Sequence, residues 1–421
     1  MPEIRTGDRQ LIKELNIALV LNAIRQHQPI SRVDISARTG LGRSTVTGII
    51  NALLRDGLIQ ESGSADAPAG RKPVLLTFNA GARYAVGVKV APRSATVALV
   101  DLNAAVLRSA EAPLSPVRGT DDVIRTVEAT IRQVVREASV PWEKLLGVGL
   151  VMPGVVDPQT GIAVTSYFLG WDDFPIRDRL EEALELPVYV DNDANAMALA
   201  EALYGAGQGV SDLLALTVGV GIGAGIILGG HVHRGARFSA GELGHTVVVP
   251  DGPVCGCGRR GCLEAMAADA AIIRRAREEV LAGRSEVLRA MVRGHAELIT
   301  RDLVIAAARE GDEAARSVLA ESGRWLGIAV GNAVNLLSPS RIVVGGEAVL
   351  QAGELILEPL RATLAEVVFP AMSDDLKVVP ARLGQHAWVQ GGAALVLADA
   401  FQVPLHEHNT LAMARQVGQN G

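Results

Sequence analysis

The sequence predicts an α/β protein of more than one domain: a small helical head with a two-stranded wing, then a much longer body alternating strands and helices. Three observations lead there. The chain has 421 residues, too many for one hydrophobic core. Its first 80 residues show helical spacing broken by glycine turns, whereas the next stretch opens on successive strand-like apolar runs. All three cysteines fall within eight residues, shortly after a histidine, so one local structure gathers them. With 49% apolar and 20% charged residues, the composition is that of an ordinary globular protein. Met1 to Gln10 is polar and charged, with no apolar run behind it, so no secretory signal is read and a cytoplasmic location is expected. Leu213 to Gly230 is free of charge over 18 residues, which is membrane-span length. Its six glycines, four of them alternating from Gly219 to Gly225, instead indicate buried strands joined by a tight turn, so no membrane partner is expected.

The head comes first, over residues 1–80. Leu11, Leu15, Leu19 and Ile24 recur near helical spacing, which predicts a helix over Leu11 to His27 ended by Pro29. Ser31-Arg-Val-Asp34 resembles a capping box with Asp in place of Glu, and starts a short second helix to Arg38. Thr39-Gly-Leu-Gly42 is a tight turn. A third helix follows from Arg43 to Arg55, with Val46, Ile49, Ile50, Leu53 and Leu54 inward. Its opposite face is small and polar: Ser44, Thr47, Gly48 and Asn51, with Thr45 beside them. Helix, glycine turn and helix make a helix-turn-helix, whose second helix enters the major groove. Ser44, Thr45, Thr47 and Asn51 are candidates for base edges and Arg43 for a phosphate. Leu58-Ile-Gln60 and Val74–Phe78 are two strands around a loop, a wing whose Arg71 and Lys72 would meet the minor groove or phosphates. The head has 10 basic against 7 acidic residues, and the remainder 30 against 39, so +3 sits on −9. A three-helix protein-interaction module would show the same period. Only 3% aromatic residues argues against stacking on single strands and for duplex DNA.

In the body, Tyr84–Val90, Thr96–Asp101 and Ala104–Arg108 read as successive strands, and Thr120–Ala138 as a helix with Val123, Val127, Ile131, Val134 and Val135 inward. Leu146–Met152 is a buried strand running into Pro153-Gly154. Val188-Tyr-Val190 leads through Asp191-Asn192-Asp193 into a helix from Ala194 to Leu203, which places an amide and carboxylates at a strand-to-helix junction where α/β ligand sites occur. A glycine-rich strand pair follows, then Ser340–Gly346 repeats the strand-then-glycine pattern, and Gly391-Gly392 is read as opening a final helix.

Between them lies the most specific stretch, Gly241-Glu242-Leu-Gly-His245 followed by Cys255-Gly-Cys257-Gly-Arg-Arg-Gly-Cys262-Leu-Glu264. Three thiolates and one imidazole are a closed tetrahedral set for structural Zn²⁺. Three reduced structural cysteines, or one disulfide with a thiol left over, are the alternatives; an odd clustered set without an export signal fits a metal better. Glu242 and Glu264 flank the set and are placed to accept hydrogen bonds from a hydroxyl-rich ligand.

Together these motifs resemble the ROK family of repressors, open reading frames and sugar kinases, over about residues 82–400. The resemblance is carried by Asp191-Asn-Asp-Ala-Asn-Ala196, Gly219–Gly225 with its alternating glycines, Glu242-Leu-Gly-His245, Cys255–Glu264 and Val344-Gly-Gly346. The head is similar to that of the family's repressor branch. The family implies a two-lobed ribonuclease-H-like body, the actin and sugar kinase architecture, with residues 401–421 left as a tail. It implies zinc on His245, Cys255, Cys257 and Cys262. It also implies sugar hydroxyls on Asn192, Asp193, Glu242, His245 and Glu264, with Gly154 close to the cleft. Asp193 matches the kinase branch's base; otherwise it would cap the helix from Ala194.

Two departures bear on function. Where the kinases have an Asp-x-Gly-x-Thr turn for phosphate and magnesium, this chain has Lys89-Val-Ala91-Pro92-Arg93, so no ATP chemistry is expected. Where many relatives have Asn-Leu-Gly-Trp, it has Phe168-Leu-Gly-Trp171, which removes an amide partner for the sugar. The expected protein is a homodimeric repressor, or a tetramer made of two such dimers, on a palindromic duplex operator, answering a sugar or sugar phosphate that it does not phosphorylate. An active sugar kinase with a DNA-binding head, and a DNA-binding regulator with an inert cleft, are the competing readings.

Overall fold

The structure, a computed structural model, describes residues 9–64, 73–114, 119–166, 169–373 and 375–401. The head begins with α1 (Arg9–His27), which buries Leu19 and Ile24. The two-residue strand β1 (Ile30–Ser31) leads into α2 (Arg32–Thr39). Ser31 caps α2: its hydroxyl accepts from the Asp34 amide at 3.3 Å and donates to the Asp34 carboxylate at 2.7 Å, so Asp serves where Glu is usual. Gly40 takes the left-handed conformation at φ 72° and ends the helix. Then α3 (Arg43–Arg55) buries Val46, Ile49, Ile50 and Leu53. The wing is β2 (Ile59–Ser64) antiparallel to β3 (Val74–Phe78), with β1 on the other side of β3. Arg71 and Lys72 lie outside the described residues.

Among the described residues the chain divides into two units, one running to Asp191 and resuming at Gly392, the other Asn192–Gly391. The first contains the head and a five-stranded sheet. Strands β4 (Tyr84–Val90), β5 (Ser94–Asp101) and β6 (Val106–Pro113) form two antiparallel hairpins. After α4 (Thr120–Glu137), β7 (Leu145–Met152) lies parallel to β4. A small sheet of β8 (Val155–Asp157), β9 (Ile162–Ser166) and β10 (Trp171–Phe174) follows, then α5 (Ile176–Leu184) and β11 (Val188–Asn192). The order is β11-β7-β4-β5-β6. The inward stripe of α4, with Val127, Ile131 and Val134, joins Val86, Val88, Leu99 and Leu150 in one buried core. Burying such side chains contributes about 1.5–3 kcal/mol each. One expected strand starts later than its apolar run. Ala104 sits at φ 58° in a turn whose Asp101 carboxylate accepts from the Asn103 and Ala105 amides at 2.9 Å, so pairing begins at Val106.

The second unit opens with α6 (Asp193–Tyr204) and the hairpin β12 (Leu213–Val218) and β13 (Ile222–Leu228), extended by β14 (His231–Val232). The charge-free stretch is therefore a β-hairpin, and no described helix is long and apolar enough to cross a membrane. Helices α7 (Leu263–Ala267), α8 (Asp269–Leu281), α9 (Glu286–Met291), α10 (Arg301–Arg309) and α11 (Glu313–Leu337) precede β15 (Arg341–Gly345). Then come α12 (Glu347–Ala352), α13 (Glu354–Val367), β16 (Lys377–Pro380) and α14 (Ala387–Phe401). The order β14-β13-β12-β15-β16 matches the first unit's β6-β5-β4-β7-β11, with two antiparallel pairings followed by a parallel one in each. Gly391 and Gly392 lie inside α14 rather than opening it. A Cβ on Gly391 would meet the Ala196 carbonyl oxygen at 2.2 Å, and one on Gly392 the Gly149 carbonyl oxygen at 2.5 Å, so the pair admits passing backbone.

Candidate functional site

Between β14 and α7 the second unit has few regular elements, and backbone bonds shape the chain there. A one-turn 3₁₀ helix, Leu243–His245, presents His245. Val247 pairs with Cys262, and Val254 with Arg260, so the chain doubles back on itself. The Cys255 amide donates to the Arg259 carbonyl at 2.7 Å, and the Leu263 amide to the Thr246 carbonyl at 2.9 Å. This folding brings the ligand atoms of His245, Cys255, Cys257 and Cys262 within 4.8 Å of one another. Cys255 Sγ stands 3.7 Å from His245 Nδ1, and Cys257 Sγ stands 3.7 Å from Cys262 Sγ. The three cysteines are unbridged, since a disulfide holds its sulfurs at about 2.05 Å. This group could hold a metal ion. Burial pushes the Cys255 thiol up to about 12 and raises that of Cys262, while hydrogen bonding from the Arg259 backbone brings Cys257 down to about 6.

The carboxylates adjoin this cluster. Helix α7 starts directly after Cys262 and carries Glu264, whose Oε2 accepts from the Ile222 amide at 3.1 Å at the start of β13. Its Oε1 lies 3.6 Å from Cys255 Sγ. Glu242 Oε2 lies 3.8 Å from His245 Nε2, so the two imidazole nitrogens face different partners: Nδ1 the sulfurs, Nε2 the carboxylate. Desolvation pushes the Glu242 carboxyl above its ordinary range; His245 opposes this, and Asp193 and Glu264 add to it.

Asn192 ends β11, and its side-chain oxygen accepts from the Ala194 amide at 2.8 Å and the Asn195 amide at 3.2 Å. Asn192 is therefore the helix cap, correcting the reading that gave this role to Asp193. Asp193 is the first residue of α6, where the helix dipole favours a carboxylate. Asn192, Asp193, Glu242, His245 and Glu264 all belong to the second unit. Gly154 belongs to the first, at φ 109° between β7 and β8, where a Cβ would meet the Thr165 carbonyl oxygen at 2.3 Å. Lys89 lies near the end of β4, half-buried, and the following turn closes on itself through the Ala91 amide and the Ser94 carbonyl at 2.8 Å, with Pro92 between them. Phe168 lies outside the described residues. In the head, Arg43, Ser44, Thr45, Thr47 and Asn51 are exposed along α3, and the Thr47 hydroxyl donates back to the Arg43 carbonyl at 2.8 Å. Sequence reasoning missed the Ile222 amide as a partner of Glu264. A backbone donor has no residue identity to betray it.

Comparison with known proteins gives a consistent picture. Residues 85–399 match the model of the ROK family, and residues 13–60 match that of a winged helix-turn-helix DNA-binding domain. The xylose repressor of Caldicellulosiruptor bescii is 33% identical over 398 residues, covering 94% of this chain and 99% of the repressor. A solved ROK family transcriptional regulator, a homolog of the Escherichia coli MLC protein, aligns with TM-score 0.80 and 30% identity over 96% of this chain and 98% of its own. A ROK family glucokinase from Streptomyces griseus, solved with glucose and AMPPNP, aligns with TM-score 0.67 and 32% identity over 74% of this chain and 98% of its own.

Proposed function

The chain belongs to the ROK family and carries a winged helix-turn-helix DNA-binding head, and from that premise we propose that it is a sugar-responsive transcriptional repressor whose body binds its effector without phosphorylating it. The observation that carries the reading is the division of His245 between two partners. Nδ1 faces the sulfur cluster and Nε2 faces Glu242. An imidazole held through Nδ1 presents Nε2 as an N–H donor, so its tautomer and orientation suit a sugar hydroxyl. Glu242, Glu264 and Asp193 supply acceptors beside it, and Asn192, which caps α6, fixes where Asp193 stands. The xylose repressor supports a pentose as one candidate effector.

The metal we assign is Zn²⁺. A tetrahedral site with Zn–S of about 2.3 Å has sulfur–sulfur edges of about 3.8 Å, and the Cys257–Cys262 separation is 3.7 Å. Four protein ligands close the coordination sphere, so the ion would supply rigidity and charge balance rather than a reacting water. The residues do the rest. Glu264 ties the cluster to β13 through the Ile222 amide, and His245 ties it to Glu242.

In the head, α3 would lie in the major groove with Ser44, Thr45, Thr47 and Asn51 toward base edges, and Arg43, Arg71 and Lys72 toward phosphates. Two heads of a dimer would then span half-sites one helical turn or a multiple apart. The glucokinase relative makes a kinase the competing reading. Against it stand Lys89 in place of an acid and Pro92, which has no amide for a phosphate. Incubation with Mg-ATP and a panel of sugars, including any that bind by calorimetry, tests the point. We expect binding without phosphorylated product, and sugar phosphate formed at a catalytic rate would overturn the reading.

A further inference from the structure

Five residues, 79–83, separate β3 of the wing from β4 of the body sheet. A flexible linker of that length would leave the head free to swing. Instead it is bonded at each end. The Asn79 amide donates to the Leu58 carbonyl at 2.9 Å, and its side-chain Nδ2 donates to the Gly57 carbonyl at 2.9 Å, both just past the end of α3. The Asn79 carbonyl accepts from the Ala82 amide at 3.1 Å, closing a 3₁₀ turn. Within that turn the Ala80 carbonyl accepts from the Leu102 amide at 3.1 Å, from the turn between β5 and β6. One residue earlier, the Phe78 amide donates to Gln28 Oε1 at 2.8 Å, reaching back to the end of α1. Phe78, Ala82 and Leu102 are buried, and Gly57, Leu58, Asn79 and Ala80 are half-buried, so the network is partly shielded from water.

We propose that Asn79 is a positioning residue that clips the recognition helix α3 onto the body sheet, so that the head and this sheet turn as one piece. Its side chain holds the end of α3, and its backbone holds the turn that enters β4. A displacement of the sheet then reaches the base-reading face of α3 without being absorbed by a loose joint. The clip is independent of which effector is bound; only its consequence for DNA rests on the repressor reading.

Hydrogen exchange on the full-length protein tests it. The amides of Phe78, Asn79, Ala82 and Leu102 should be protected in the wild type. Asn79→Asp, which keeps the shape but replaces the donor with an oxygen facing the Gly57 carbonyl, should speed their exchange by about tenfold, the equivalent of one hydrogen bond's net contribution. Peptides of the second unit should be unaffected, and Asn79→Ala should give the same pattern. Exchange of the wild-type 79–83 segment at the rate of an unstructured peptide would overturn the proposal. A second arm uses an operator selected from random duplexes by the wild-type chain, then lengthened by a base pair between half-sites. The wild type should discriminate the two spacings, and Asn79→Asp should tolerate both. Equal discrimination by both proteins would overturn the positioning role. A chain that selects no duplex would instead sink the repressor reading, while the exchange pattern still decides whether the clip exists.

Discussion

His245 turns Nδ1 to the Cys255 sulfur and Nε2 to the Glu242 carboxylate. If the cluster holds zinc as proposed, replacing Cys257 with Ser removes one of its four ligands. Metal analysis after dialysis should show the bound ion falling from about one per chain to a small fraction. Unchanged metal content would contradict the assignment. Asn192 and Asp193 separate two roles that their adjacency hides. Asn192→Ala loses the cap of α6 and should cost about 1 kcal/mol, read as a lower melting temperature. Asp193→Ala leaves the cap intact. It should melt close to wild type, bind operator as before and fail to respond to sugar. A melting temperature that falls more for Asp193→Ala than for Asn192→Ala would return the cap to Asp193.

At the scale of elements, α3 and the loop that gathers His245, Cys255, Cys257 and Cys262 position the candidate residues. Asn51 is exposed on the small polar face of α3, clear of the buried Val46, Ile49, Ile50 and Leu53. Asn51→Ala should cost about 1–3 kcal/mol on the selected operator while leaving the slope of affinity against salt unchanged, because a base contact releases no counterion. A reduced salt slope would mark Asn51 as a phosphate contact instead. In the metal loop, Gly261 sits at φ 69°, and a Cβ there would lie 1.4 Å from the Val249 carbonyl oxygen. Gly261→Ala should therefore lose metal as fully as Cys257→Ser without touching a ligand, and metal retained at the wild-type level would contradict this. Helices and strands with clean periods were legible from the residues alone: α3 over Arg43–Arg55, β4 over Tyr84–Val90 and the hairpin of β12 with β13. What escaped was set by tertiary context. Ala104 is apolar and strand-like, yet Asp101 bonds to the backbone around it and bends the chain. Gly391 and Gly392 look like a helix start, but they are small because backbone passes against them.

At the scale of the molecule, one sheet order occurs twice, and the second copy carries the His/Cys cluster, with Glu264 bonded to the start of β13. The gathering of His245, Cys255, Cys257 and Cys262 into one cluster was legible because Cys and His spacing is a strong signal. The support of Glu264 by the Ile222 amide was not, because any residue can donate from its backbone. The repressor reading joins sugar binding in the body to DNA binding by the head, so the two affinities must be linked reciprocally. The measurement that bears most directly on this is operator affinity of the full-length protein with and without saturating sugar, using a sugar shown by thermal shift to bind. A change of about 5- to 150-fold is expected, matched by an equal change in sugar affinity when operator is present. Identical operator affinity with and without every sugar that binds would contradict it.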